Sequence, residues 1–182
     1  MSCIYMIPKG KRRGRPFHLG IRAIQTGFCK EREIHIKARF WRNCRYFIDG
    51  EDMYDINKLC GFTMGFTHQN SFRIGWRYSS KLDRIELFYY AWVNGKRMPF
   101  EPLCTVRFCE EVNLSIELFH SKKDDCYSVE VTKDGRDIII PILYTKKEFP
   151  VKKYLSYPLC TYFGGNKKAP NDMNIDLEYM LH

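Results

Sequence analysis

His68, Gln69, Asn70 and Arg73 fall within one short stretch, and Tyr162 and Asn166 follow far along the chain. These are the residue types that elimination beside a uronate carboxylate uses. Arg, Gln or Asn neutralises the acid, and Tyr or His takes up and returns a proton. On that reading Arg73, His68 and Tyr162 carry catalysis. On the structural reading 67–70 is a polar loop between strands, Arg73 is a charge on a sheet surface, and there is no catalytic residue. Only a fold that brings both stretches into one groove separates the two, because function rests on the geometry of a site.

Phe88, Tyr90 and Trp92 alternate with Leu87, Tyr89, Ala91 and Val93, so as a strand they place three rings on one face. A sugar ring or a protein partner stacks on such a ladder. The other reading has that face covered, with the rings as core. Asn171, Asp172, Asn174 and Asp176 offer oxygen ligands for calcium but lack the spacing of a known calcium loop. Gly164-Gly165-Asn166 with Pro170 reads as a tight bend between strands, and Lys167-Lys168 as solvated surface. The chain has no Gly-x-Ser-x-Gly elbow, no Cys in a recognisable Cys/His context and no Walker or dinucleotide glycine spacing. Neither a metal nor a cofactor is expected.

Charge is concentrated at the start. Of the formal net charge of +9, residues 1 to 45 carry +10 and the other 137 residues −1. Lys9, Lys11, Arg12, Arg13 and Arg15 lie within seven residues, broken by two glycines and followed by Pro16. Such a run cannot bury itself and reads as an exposed arm over residues 1–32, preceding a domain over 33–182. The arm's counter-charge must come from another molecule. Protein neighbours in an assembly are the first expectation, with nucleic acid through salt-dependent phosphate contacts as a further one. Removing residues 1–16 is expected to leave the domain folded.

With 182 residues the chain suits one domain with a full core. Its eight cysteines (3, 29, 44, 60, 104, 109, 126 and 160) include no CxxC pair and no zinc spacing. The opening MSCIYMIPKGKRRGRPF has no apolar signal-peptide region, so reduced thiols and a cytoplasmic location are expected. No apolar run approaches the roughly 20 residues of a membrane span, and no membrane partner is expected.

The elements that must position these side chains read as strands. Glu33 to Phe40 alternates, with Ile34, Ile36, Ala38 and Phe40 inward. Ser71–Tyr78, Arg84–Val93, Asn113–Phe119, Tyr127–Thr132, Asp137–Ile142 and Met173–Leu181 read likewise. Asn94-Gly95 and Asp134-Gly135 predict tight hairpins, because both tolerate the positive φ that primed turns demand. Asp52 to Leu59 reads as a short helical turn. Short strands separated by turn residues make an all-β, two-sheet antiparallel sandwich.

NKLCGF (57–62), HQNSFRIGW (68–76), YAWVNGKR (90–97) and YFGGNKKAPND (162–172) together resemble uncharacterised proteins of Bacteroidota and their phages. The resemblance covers roughly residues 35 to 182 and implies a concanavalin-A-like jelly roll, with no established activity attached. Tyr162-Phe163-Gly164-Gly165 partly resembles the Tyr-Phe-Lys-Ala-Gly motif of alginate-lyase-type polysaccharide lyases, which share that fold. Gly164 stands at the motif's lysine position, and the Arg-x-Glu-Leu-Arg and Gln-Ile/Val-His strands of those lyases are absent. The expected function is a non-catalytic binding or structural module of a larger assembly, such as a phage virion component, engaging a protein or a glycan. The alternatives are a polysaccharide lyase and a nucleic-acid binder.

Overall fold

The computed structural model describes residues 2–16, 33–64, 69–121, 126–138, 142–145 and 156–180. Its strands, in chain order, are β1 (Ser2–Ile7), β2 (Arg15–Pro16), β3 (Glu33–Phe40), β4 (Asn57–Met64), β5 (Ser71–Ser79), β6 (Arg84–Val93) and β7 (Lys96–Arg97). These continue with β8 (Glu101–Val106), β9 (Glu111–Ser121), β10 (Cys126–Lys133), β11 (Arg136–Asp137), β12 (Ile142–Thr145), β13 (Ser156–Pro158) and β14 (Met173–Met180). One sheet runs β11-β10-β9-β3-β14-β1-β2, with β12 also beside β10, and the other runs β13-β4-β5-β6-β7, with β8 also beside β6. The pairings are antiparallel, and among the described residues there are 3-10 turns but no α-helix. This is the two-sheet jelly-roll sandwich expected.

Alternation decides which face each strand buries. Ile36, Ala38 and Phe40 of β3, Leu114 and Ile116 of β9, and Ile175 and Leu177 of β14 point inward from one sheet. Phe72, Ile74 and Trp76 of β5, with Ile85, Leu87 and Tyr89 of β6, meet them from the other. Ring contacts tie the layers: Phe40 lies 5.4 Å from Trp76, and Tyr46 lies 5.2 Å from Phe163. Ile34 is only partly buried at the edge of this core. The hairpins are as expected, with Asn94 and Gly95 at φ 51° and 74°, and Asp134 and Gly135 at φ 51° and 75°. Cys44, Cys60, Cys104, Cys109 and Cys160 are free thiols. No helix among the described residues is long and apolar enough to cross a membrane.

Three expectations are corrected. The N-terminal segment is not an arm outside the sandwich: β1 pairs with β14 from Ser2↔Glu178 to Ile7↔Met173, and Tyr5 and Ile7 are buried. SCIYMI is a short, almost wholly apolar run without a period of two, and the charge run that follows it has the composition of a solvated segment; 17–32 lies outside the described residues. The helical turn expected over Asp52 to Leu59 is a 3-10 turn at Gly50–Tyr54, and Asn57–Met64 is a strand. A register shift between Lys58 and Cys60 buries both Leu59 and Cys60, which hides the period of two. The strand expected over Asp137–Ile142 divides into β11 and β12, with 139–141 outside the described residues.

Candidate functional site

The outer face of the six-stranded sheet is where the core-facing alternation sends Lys58 of β4, Arg73, Gly75 and Arg77 of β5, and Phe88, Tyr90 and Trp92 of β6. Register fixes how they meet. Tyr162 bridges Lys58 on one side and Arg13 on the other, while Lys58 pairs with Gly75 and Gly75 with Phe88. The next row runs Gly61, Arg73, Tyr90. Gly61 has φ +151°, and a Cβ there would stand 2.8 Å from Cγ of Arg73, so the arginine stem lies across a residue that must lack a side chain.

These rows form a groove. One part, of about 380 Å³, is lined by Arg13, Lys58, Arg73, Cys160, Thr161 and Tyr162, together with Leu159. A second part, of about 400 Å³, shares Lys58 and is lined by Asp55, Tyr90, Arg97, Phe100 and Asn166, among others. Among the described residues, the first part holds three cations and no carboxylate, and the second holds Lys58, Arg97 and one acid, Asp55. Lys58 Nζ donates to the Ile56 carbonyl at 2.7 Å and lies 4.6 Å from the Tyr90 ring centroid. Burial pushes this ammonium down to about 8, helped by the positive Arg73 and Arg97 and opposed by Asp55. Burial also lowers the Arg73 guanidinium from its ordinary range, against the influence of Tyr90 and Cys160.

The depressed Lys58 sets a pH dependence with a definite sign. The native proton is lost near pH 8 and the unfolded one near 10.5, so below pH 8 the folded chain carries the full cost of a desolvated charge. Between these values the unfolded state binds more protons, and stability rises with pH. Urea unfolding at pH 7 and pH 9.5 should show wild type gaining stability relative to Lys58→Met. A pH-independent difference between the two would contradict the assignment.

The candidate residues are distributed unevenly. Arg73 and Tyr162 share one groove; His68 lies outside the described residues. Gln69 and Asn70 are held at the strand end: the Gln69 carbonyl accepts from Gly95 N–H, and Asn70 Oδ1 accepts from Asn94 N–H at 2.8 Å. Asn166 reaches the second part of the groove, and its carbonyl accepts from Arg12. Of the aromatic ladder, Phe88 and Tyr90 are buried in a small cluster with Ile56, under Phe100, Arg77 and Lys58. Trp92 is half-buried and donates Nε1–H to the Tyr90 hydroxyl at 3.3 Å. The ladder is therefore neither main core nor open platform.

Three residues of the oxygen-rich run near the C-terminus make structural bonds, while Asn174 Oδ1 is buried without a hydrogen-bond partner among the described residues. Asp172 Oδ1 accepts from Lys9 N–H, Asp176 Oδ1 accepts from Trp41 Nε1–H, and Asn171 Nδ2 donates to the Asn43 carbonyl. On the outer face of the other sheet, His35 Nε2 lies 3.4 Å from Glu33 and 3.3 Å from Glu117.

Lys58 and Arg97 were missed as site residues, although both sit inside quoted motifs. The Lys58–Cys60 irregularity concealed the face that Lys58 uses. Gly164 departs from the lyase-type motif for a visible reason. A Cβ there would lie 2.2 Å from the Ile56 carbonyl oxygen and 2.9 Å from Lys58 Nζ.

No protein-family model matches the chain, and no curated protein sequence matches it. Among solved structures, the alginate lyase vAL-1 from Chlorella virus matches with a TM-score of 0.53 at 12% identity, over 97% of this chain and 81% of that one. A native glycosidic hydrolase follows with a TM-score of 0.49 at 9% identity, over 98% of this chain and 75% of that one, and peanut lectin with 0.39 at 10%, over 82% and 72%. At these identities the likeness is one of fold: the chain is a jelly-roll sandwich of the architecture found in vAL-1.

Proposed function

We propose that this protein is a carbohydrate-binding module for an acidic polysaccharide, taking uronate residues in the groove on the outer face of the six-stranded sheet. The observation that carries the reading is the Tyr162 part of the groove, where Lys58 is desolvated beside the positive Arg73 in a wall shared with Arg13 and a phenol, and where no carboxylate stands among the described lining residues. Holding desolvated cations together is unfavourable, and a bound carboxylate relieves it by charge-assisted hydrogen bonds. The half-buried ring of Tyr162 supplies an apolar face beside those charges, a combination suited to sugars. The vAL-1 neighbour, an alginate lyase, acts on a polymer of this chemical class.

Calorimetric titration at low salt should show binding of an oligomannuronate hexamer and none of neutral xylohexaose. Arg73→Met should weaken uronate binding about tenfold or more, the loss of one charge-assisted contact. Absence of binding to uronate oligomers, or equal binding of the neutral sugar, would overturn the reading.

A second reading, elimination on a uronate, is favoured by one feature: Lys58, its ammonium pushed down to about 8 by burial, occupies the strand position that pairs with Tyr162. Against it stand the missing strand motifs and Gly164. The same incubation, followed by ultraviolet absorbance, is expected to show no new unsaturated chain ends. A rise abolished by Tyr162→Phe would establish the lyase instead. The assembly, virion and nucleic-acid readings are left with the exposed cations of the N-terminal segment, whose anchoring to the groove argues for a nearer ligand.

A further inference from the structure

We infer that the N-terminal basic segment is one wall of this glycan groove and that Arg13 is a specificity-determining residue of the site, contacting the acidic group of the bound sugar. The inference rests on the acidic-polysaccharide reading and adds to it a role for the charge run from Lys9 to Arg15.

The segment is built into the site by its backbone. Gly10 N–H donates to the Ala169 carbonyl, Ala169 N–H to the Lys11 carbonyl, Phe163 N–H to the Arg12 carbonyl and Gly14 N–H to the Thr161 carbonyl, at 2.6 to 3.0 Å. Gly14 permits the approach: a Cβ there would stand 3.3 Å from Cβ of the buried Thr161. Arg12 closes the corner, donating to the Tyr162 hydroxyl at 3.3 Å and to the Asn166 carbonyl. Residues 10–14 thus extend the six-stranded sheet past Tyr162 and leave Arg13 in the lining of the cationic part.

Charge points the same way. Among the described residues, no carboxylate forms an ion pair with the side chain of Lys9, Lys11, Arg12 or Arg13, whereas Arg45 and Arg77 each have one and Arg39 has two. Arg12 instead donates to a neutral hydroxyl and to a carbonyl. Arg13 and Lys58 are both register partners of Tyr162, so they flank it from the strands on either side, about 10 Å apart at two strand spacings. A planar guanidinium on a fixed backbone binds carboxylate bidentately with little ordering cost. Lys9 and Lys11 belong to the same charge run but line neither part of the groove.

The test uses the full chain and oligomannuronate and oligogalacturonate hexamers as probes. Arg13→Gln should weaken binding about tenfold with an unchanged melting temperature, since the side chain is exposed. Arg13→Lys should recover only part of the affinity, whereas Lys9→Gln and Lys11→Gln should leave it within about twofold. Equal losses for all three glutamine variants would reduce the segment to diffuse electrostatic attraction and overturn the inference. So would wild-type affinity in Arg13→Gln while Arg73→Met still loses binding, an outcome that leaves the groove reading standing. If wild type binds no uronate at all, that reading and this one fail together. Tight binding of single-stranded nucleic acid that Arg13→Gln abolishes, without uronate binding, would reassign the wall to phosphate.

Discussion

A chain lacking residues 1–16 should lose cooperative folding at 25 °C. The deletion removes β1, which pairs with β14 over six residues and buries Tyr5 and Ile7. Each of those side chains is worth about 1.5–3 kcal/mol of burial. β14, a central strand of its sheet, would become an edge and uncover Met173, Ile175 and Leu177 to the extent that β1 shields them. The backbone bonds from Gly10, Arg12 and Gly14 to Ala169, Phe163 and Thr161 go as well, at about 1 kcal/mol each net. The sum is comparable to the whole stability of an ordinary domain, about 5–15 kcal/mol. This reverses the expectation of a detachable arm. Circular dichroism and urea titration of the truncated chain decide the matter: a sigmoidal transition within a few degrees of the full chain's melting temperature would show that β1 contributes little.

Gly164→Lys, the substitution that writes the lyase-type motif's lysine into this chain, should destabilise the fold by about 3 kcal/mol or more and confer no uronate elimination. Overpacking ordinarily costs about 1–3 kcal/mol and more where the obstacle is rigid. Here the obstacle is backbone: the new Cβ would overlap the Ile56 carbonyl, which itself accepts from Lys58 Nζ. Gly164 N–H also donates to Asn57 Oδ1 at 2.7 Å in a buried position, so the strand end cannot shift away without breaking that bond. A second ammonium beside Lys58 adds charge repulsion at low dielectric. Gly164→Ala separates the effects, since it introduces the Cβ without the charge and should already lose most of the stability. Urea midpoints provide the measurement. A folded Gly164→Lys protein of wild-type stability would mean that the loop relaxes freely, and the steric account of this position would be wrong.

How much of this was written in the chain differs from element to element. The period of two in Glu33–Phe40, in Arg84–Val93 and over 173–180 named those strands and the faces that meet the core, because alternation decides which side chains point inward, while Ser71–Tyr78 was legible as a strand. Asn94-Gly95 and Asp134-Gly135 named their hairpins, because few other pairs accept two positive φ angles in succession. The approach of Arg73 to Tyr162 was legible only as a question, since residues 89 apart in sequence meet through the pairing of β4 with β5 on one side and with the Tyr162 bridge on the other. Lys58 was hidden by a bulge, and Arg13 by the charge of its own neighbours, which reads as solvated arm until Tyr5 and Ile7 are seen in the core. Local sequence determined strands, turns and faces, since those follow from backbone sterics and side-chain alternation within a few residues. Which cations share a groove was decided by tertiary structure alone, because register between distant strands is fixed by burial of the opposite face and leaves no mark on the residues that line the site.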